Sequence, residues 1–311
     1  MWCKRHRGPL NRRDRAIDYI KGKRMHDKRS DVGLLVARRA AGLILAFLCV
    51  HALSGCGRVW QTFERTTLNP GVRSNATPGD VRLKFERISI PIGQRKLDSF
   101  VVRAELSCRG TAAVLIFHGR RETIADWIGV QRLLHDACIS SMTFDYSGHG
   151  RSSPPGTIEN LNADSNAAYD EFFNLFPRPE RRCMLSHSLG GGPMLHAAVA
   201  ARVGPDCVVI ASPFSSLREI AVRGGMPRWL SWLASDAWDN VELASQLAAP
   251  MLWIHSRSDT TIPIELGHAV FDAKKGEKSA LVLTGFGHNA IYESRPTQLW
   301  TPVVTFILGK R

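Results

Sequence analysis

The chain has 311 residues, 44% of them hydrophobic, so it can bury a full core, and a single domain of mixed helix and strand is allowed at this length. Its formal charge of +13 raises nucleic acid as a partner until the charge is partitioned. Residues 1–56 carry 13 Lys/Arg against 4 Asp/Glu, a net of +9, which leaves only +4 for the rest; nucleic-acid binding loses its support and is not expected.

The leader comes first in chain order. Lys28, Arg29, Arg38 and Arg39 form a positive stretch, and Ala40 to Leu53 follow as an apolar run too short for a spanning helix. That is the order of a secretory signal. The run ends in Leu53-Ser54-Gly55-Cys56, which resembles a bacterial lipobox; the resemblance implies a cut before Cys56 and lipidation of its thiol. A plain signal peptide or an uncleaved anchor is the alternative. Residues 1–24 precede a second methionine, Met25, and are consistent with a mis-called start. The expected location is the bacterial cell envelope, with a lipid-anchored protein facing the periplasm or exterior. Nothing from Gly57 to Arg311 is long and apolar enough to span a bilayer.

Residues 57–80, rich in Asn, Pro, Gly and Thr, read as a polar tether, and 81–311 as the folded domain. Two strands are expected at about 83–92 and 98–106, antiparallel to each other. Strands and helices then alternate: strand 112–117, helix 124–136, strand 139–145, helix 163–175, strand 182–187, helix 191–202 and strand 206–211. A short helical lid is expected at about 212–249, rich in large apolar groups such as Phe214, Trp229, Trp232 and Trp238. Those groups suit an acyl-chain wall, insertion into a bilayer beside an anchor, or packing of the lid on the core. A strand from Pro250 to His255, a helix near 264–274, a strand from Ser279 to Leu283 and a helix near 296–308 complete the chain. This alternation predicts an α/β fold with a doubly wound, mostly parallel sheet. The sequence has no metal-ligand spacing and no phosphate-binding loop, and neither a cofactor nor a metal is expected.

Cys183-Met184-Leu185-Ser186-His187-Ser188-Leu189-Gly190-Gly191 carries the chemistry. An apolar strand enters a small-x-Ser-x-Gly turn and a helix-competent segment follows, the context of a nucleophile elbow that lifts Ser188 to the carboxyl edge of a sheet. Ser186 stands where a Gly is usual, at some cost if the turn needs positive φ there. An elbow serine needs an imidazole base and a carboxylate, in the chain order Ser, Asp, His. Asp259 lies just past the strand ending at His255, and His288 just past the strand ending at Leu283. Catalytic groups of open α/β sheets gather at that edge. The three therefore form a candidate triad.

These motifs resemble those of the α/β-hydrolase superfamily, and the chain looks closest to its short-lid, serine-aminopeptidase-like branch, which contains many esterases. The resemblance runs from about Val81 to Ile307. It includes the strand and His-Gly of Val114 to Gly119, and the Asp-x-x-Gly-x-Gly-x-Ser turn of Asp145 to Ser152. It implies an oxyanion hole from the backbone amides of Leu189 and Arg120, each such donor being worth about 10²–10³ in rate. The side chains of Arg120 and Arg121 read as solvated, with an anionic substrate group as the alternative. His118, His149 and Arg151 read as structural, His187 as a packing residue, and Asp145 as a tie for its own turn.

Setting aside Cys3, Cys49 and Cys56, four cysteines remain. Cys183 and Cys207 open neighbouring strands, and Cys108 and Cys138 lie near strand starts at the same end. An oxidising compartment permits the bridges Cys183–Cys207 and Cys108–Cys138, with four buried thiols as the alternative. The expected activity is cleavage of a carboxylic ester or related acyl bond in a small acyl substrate, with the membrane reached through the lipid anchor. A peptidase for short peptides shares every residue named, and a non-catalytic envelope lipoprotein is the reading from another class.

Overall fold

In the computed structural model, residues 64, 68–70, 74–108, 112–177 and 181–310 are described. The leader, with its expected cleavage and lipidation at Cys56, lies outside them. Eight strands among the described residues form one sheet: β1 (Glu86–Ile92), β2 (Arg95–Val102), β3 (Ala112–Phe117), β4 (Ile139–Phe144), β5 (Arg182–His187), β6 (Cys207–Ala211), β7 (Met251–Ser256) and β8 (Lys278–Leu283). Their spatial order is β1-β2-β4-β3-β5-β6-β7-β8. β1 pairs antiparallel with β2 and β2 antiparallel with β4, and all further neighbours are parallel. The helices are α1 (Ile128–Asp136), α2 (Ile158–Leu175), α3 (Gly191–Ala200), α4 (Leu217–Arg223), α5 (Asn240–Gln246), α6 (Ile264–Ala273) and α7 (Thr297–Ile307).

The central strands are apolar on both faces because helices cover both faces. Along β3 the side chains alternate between two cores: Ala113, Leu115 and Phe117 enter one, Ala112, Val114 and Ile116 the other. Leu161 and Phe172 of α2, Met194 and Leu195 of α3 and Val270 of α6 close the first core. Val130 and Leu134 of α1 and Leu299, Val303 and Ile307 of α7 close the second. Both layers leave the carboxyl ends of β3, β5, β7 and β8 at one edge, where the loops carrying the candidate groups begin.

The expected α/β architecture is present, and several boundaries differ for local reasons. The β1–β2 register starts at Ile92 opposite Arg95, so a two-residue turn suffices, and Gly93 supplies it at φ +56°. β2 therefore begins earlier than the side-chain pattern suggests. α2 begins at Ile158, well before 163, because the Thr157 side chain accepts the amide of Asn160 and caps the helix. The helix expected from 124 opens as a 3₁₀ turn, Ile124–Trp127, before α1.

The segment expected as a polar tether is not a free spacer at its described positions. Leu68 is buried in the first core. Asn69 brackets Gly156, its Nδ2 donating to the carbonyl (3.0 Å) and its Oδ1 accepting the amide (2.7 Å). The Glu64 carboxylate accepts the amide of Ile158 (3.0 Å), at the start of α2. A polar composition conceals this docking, since one leucine and one amide that matches a backbone pair provide it.

The lid consists of α4, a 3₁₀ turn at Arg228–Leu233 and α5. Phe214, Leu217 and Trp238 are buried against the core, whereas Trp229 and Trp232 are 75% and 64% exposed. Trp238 lies over Gly192, where an added Cβ would come within 2.7 Å of its ring. Cys183 and Cys207 stand directly opposite in the β5–β6 register and are bonded. Cys108 is bonded to Cys138, with 5.1 Å between their Cα atoms.

Candidate active site

β5 delivers the elbow. Its last residue, His187, is followed by the 3₁₀ turn Ser188–Gly190, and α3 starts at Gly191. Ser188 sits at φ +52°, the left-handed region, which costs a residue with a Cβ about 1 kcal/mol or more. Gly190 has no alternative, because a Cβ there would meet the carbonyl oxygens of Phe117 and, at 2.7 Å, His118. The turn is pressed against the end of β3. Ser186 lies within β5, buried between Phe117 and Ile210 in the register, and is not among the left-handed residues. The absence of Gly at 186 therefore carries no conformational cost; the strained residue is Ser188 itself.

The structure brings the three candidate groups together. Ser188 Oγ donates to His288 Nε2 at 2.9 Å, and His288 Nδ1 donates to Asp259 Oδ2 at 2.7 Å. The other Asp259 oxygen accepts the amides of Thr261 and Ile262, both at 2.9 Å. Burial pushes the Asp259 carboxyl up, but the His288 and Ile262 hydrogen bonds outweigh it and hold the group at about 2. Two serines that the motifs do not include tie the acid loop to the base loop. Ser256 Oγ donates to the carbonyl of Phe286 (2.6 Å), and Ser258 Oγ accepts the amide of Gly285 (2.9 Å).

The loop after β3 is held from two sides. His149 Nε2 donates to the carbonyl of Arg120 (2.9 Å), and Glu122 Oε2 accepts the amide of Gly119 (2.7 Å). The backbone of Arg120 thus has a fixed place beside the elbow, while Arg120 and Arg121 are exposed as residues. Leu189 is buried in the turn that opens α3, so its amide belongs to the positive end of a helix. His118 is fully buried; burial, then the neighbouring His149, brings it down to about 3, and its ring is neutral. Asp145 reaches beyond its own turn. Its carboxylate accepts the amide of Ile124 (2.9 Å) and its carbonyl accepts Ser152 Oγ (2.6 Å), while burial pushes the carboxyl up to about 7. Arg151 donates to Asn75 Oδ1 (2.8 Å) on the exposed rim.

Sequence reasoning missed Glu122 and undervalued His187. Glu122 is buried and its carboxylate accepts three hydrogen bonds: from the Gly119 amide, from Trp127 Nε1 (2.9 Å) and from His187 Nδ1 (2.7 Å). His187 is more than a packing residue, because its Nε2 donates to the carbonyl of His288 at 3.0 Å. A signal was available. The elbow's variable position continues a buried strand, and a titratable ring there requires a polar partner. Among the described residues no cluster of His, Cys, Asp and Glu is arranged to hold a metal ion.

The arrangement suits attack by a hydroxyl on an acyl carbonyl, with the imidazole moving the proton and the carboxylate fixing its tautomer. Comparisons with known proteins bear on the fold. A family model described as Serine aminopeptidase, S33, matches residues 109–246. Human alpha/beta hydrolase domain-containing protein 17B is 31% identical over 150 residues, which are 48% of this chain and 50% of that protein. An uncharacterised protein of Mycobacterium tuberculosis is 29% identical over 178 residues, 57% of this chain and 63% of that one. The chain thus spans between half and two thirds of these relatives. Among solved structures, the Pyrococcus furiosus esterase Pf2001 superposes with a TM-score of 0.62 at 18% identity, covering 78% of this chain and 97% of that one. Est1E from Butyrivibrio proteoclasticus, with ferulic acid bound, gives 0.59 at 18% identity, covering 72% and 98%. With its eight-stranded, mostly parallel sheet and flanking helices, the chain has the α/β-hydrolase fold.

Proposed function

We propose that the protein is a serine hydrolase that cleaves a carboxylic ester or related acyl bond through an acyl-enzyme. The reading rests above all on the unbroken relay from Ser188 Oγ through His288 to Asp259. His288 Nε2 removes the hydroxyl proton as Oγ bonds to the substrate carbonyl carbon. The carbonyl oxygen takes the negative charge, and the amides of Leu189 and Arg120 are the donors assigned to it. His288 then protonates the leaving alkoxide as the old acyl–oxygen bond breaks. Water, deprotonated by the same nitrogen, attacks the acyl-serine and returns Ser188 to its starting state. Asp259 stays ionised throughout and keeps the proton on Nδ1. Similar structures titled esterases favour an ester substrate; the serine aminopeptidase description of the matching family model favours the peptidase alternative.

The test is a series of aryl esters of rising acyl length alongside peptide anilides, with the full-length chain. Ester turnover with an optimum in acyl length and silent anilides is the expected result. Anilide cleavage without ester turnover would move the reading to a peptidase. Silence on both, with no covalent labelling of Ser188, would leave the binding-protein alternative.

We propose further that the protein is held in the cell envelope by a lipid on Cys56, on the strength of Leu53-Ser54-Gly55-Cys56 behind a positive, then apolar, leader. No helix among the described residues is long and apolar enough to cross a membrane. In a bacterial host, Cys56→Ser should abolish labelled palmitate incorporation and leave the precursor uncut. Unchanged incorporation would refute the anchor and leave the hydrolase reading standing, because the two rest on separate residues.

A further inference from the structure

His187 is wholly buried, and both of its ring nitrogens face acceptors: the Glu122 carboxylate on one side and the His288 carbonyl on the other. Satisfying both needs a proton on each nitrogen, which makes the ring a cation balanced by Glu122. The second carboxylate oxygen of Glu122 is occupied by the Gly119 amide and the Trp127 indole. One buried pair therefore reaches the loop after β3, the elbow and the loop after β8. Gly119 makes room for it, since a Cβ there would come within 2.8 Å of the Glu122 carboxyl carbon and 3.2 Å of His187 Nδ1.

We infer that Glu122 and His187 form a positioning dyad that ties the carbonyl of His288 and the amide of Gly119 into one hydrogen-bonded chain, keeping the base and the oxyanion loop in register with Ser188. The inference rests on the proposed roles of Ser188, His288 and Asp259. It gives the dyad an electrostatic effect that a mere packing role lacks. The His187 and His288 rings are 4.6 Å apart, with Glu122 on the far side of His187. A cation at that distance opposes a second cation on the base. Burial alone would discharge His187, but the charge and hydrogen bond of Glu122 outweigh it and raise the ring's proton affinity. Burial would push Glu122 up, and His187 reverses that to hold it at about 2. The other groups facing these rings are Asp259, which favours charge on His187, His118 and His255, both of whose proton affinities burial lowers, and Tyr292, whose hydroxyl burial keeps protonated.

The test measures the rate of fluorophosphonate labelling against pH for the full-length wild type and for His187→Gln and Glu122→Gln, with Ser188→Ala as the blank. Loss of register should slow both variants about 10²-fold. Loss of the buried cation should move the acid limb of both profiles upward by on the order of one pH unit. Histidine nitrogen resonances of the wild type supply a readout that no variant can confound, and His187 should show two protonated nitrogens at neutral pH. Slower labelling with an unmoved acid limb, an unchanged rate, or a singly protonated His187 would each overturn the dyad. Failure of the wild type to label above the blank would instead remove the triad reading beneath it.

Discussion

Ser188→Ala should abolish fluorophosphonate labelling and lower ester turnover by roughly four to six orders of magnitude, leaving only what the oxyanion donors and substrate binding supply. The loss is that large because Oγ is the bond-forming atom of the proposed mechanism, and among the described residues no other hydroxyl has a hydrogen bond to the His288 ring. Thermal stability should barely change. Alanine keeps the Cβ and so keeps the left-handed strain at φ +52°, while the one hydrogen bond removed leads to a part-buried, solvent-reachable ring. Melting curves beside labelling gels separate the two effects. Persistent labelling of the folded variant would sink the assignment.

His288→Ala should cost a similar amount, and Asp259→Asn about 10⁴, because an amide facing Nδ1 stabilises the wrong tautomer of the base. Asparagine is the informative replacement. It keeps an oxygen for the amides of Thr261 and Ile262, whereas alanine would strip both of their acceptor. The double variant should be little worse than His288→Ala alone, since the carboxylate acts only through the imidazole. Strictly multiplicative losses in kcat/KM would show that the two groups do not share a mechanism. The acid side has a direction as well. Asp259 sits at about 2, below its ordinary 3.8, so its contribution to stability is present above that ordinary value and fades as pH falls toward 2.

The sheet was legible in the sequence because its strands are short apolar runs between turn residues, and because both faces are covered, so no alternation was needed to find β3, β5 or β7. The grouping of Ser188, Asp259 and His288 was legible too, because an elbow demands small residues around its serine and the loops carrying the other two follow recognisable strands. What escaped depends on distance in space. Nothing local distinguishes Glu122 from a solvated loop acid beside Arg120 and Arg121; its meaning comes from His187, on a strand 65 residues further on. Leu68 and Asn69 escaped for the same reason, since Leu68 packs into the first core and the partner of Asn69, Gly156, lies 87 residues away. Thr157 was a local miss, a capping hydroxyl ahead of a segment whose first turns are polar.

The span of the relay has a consequence for how the protein comes to life. Ser188 and His288 are 100 residues apart in the chain, and β6, the lid and β7 lie between them. Closing so long a loop must be completed before the contact returns any energy, so the site is among the last features to assemble and has no half-built form. A nascent chain emerging as far as the elbow already holds Ser188, but His288 arrives only when the C-terminal quarter has docked on both cores. Closure of the Ser188–His288 contact is therefore a clock for the folding of the whole sheet, started by synthesis and read only when β8 is in place.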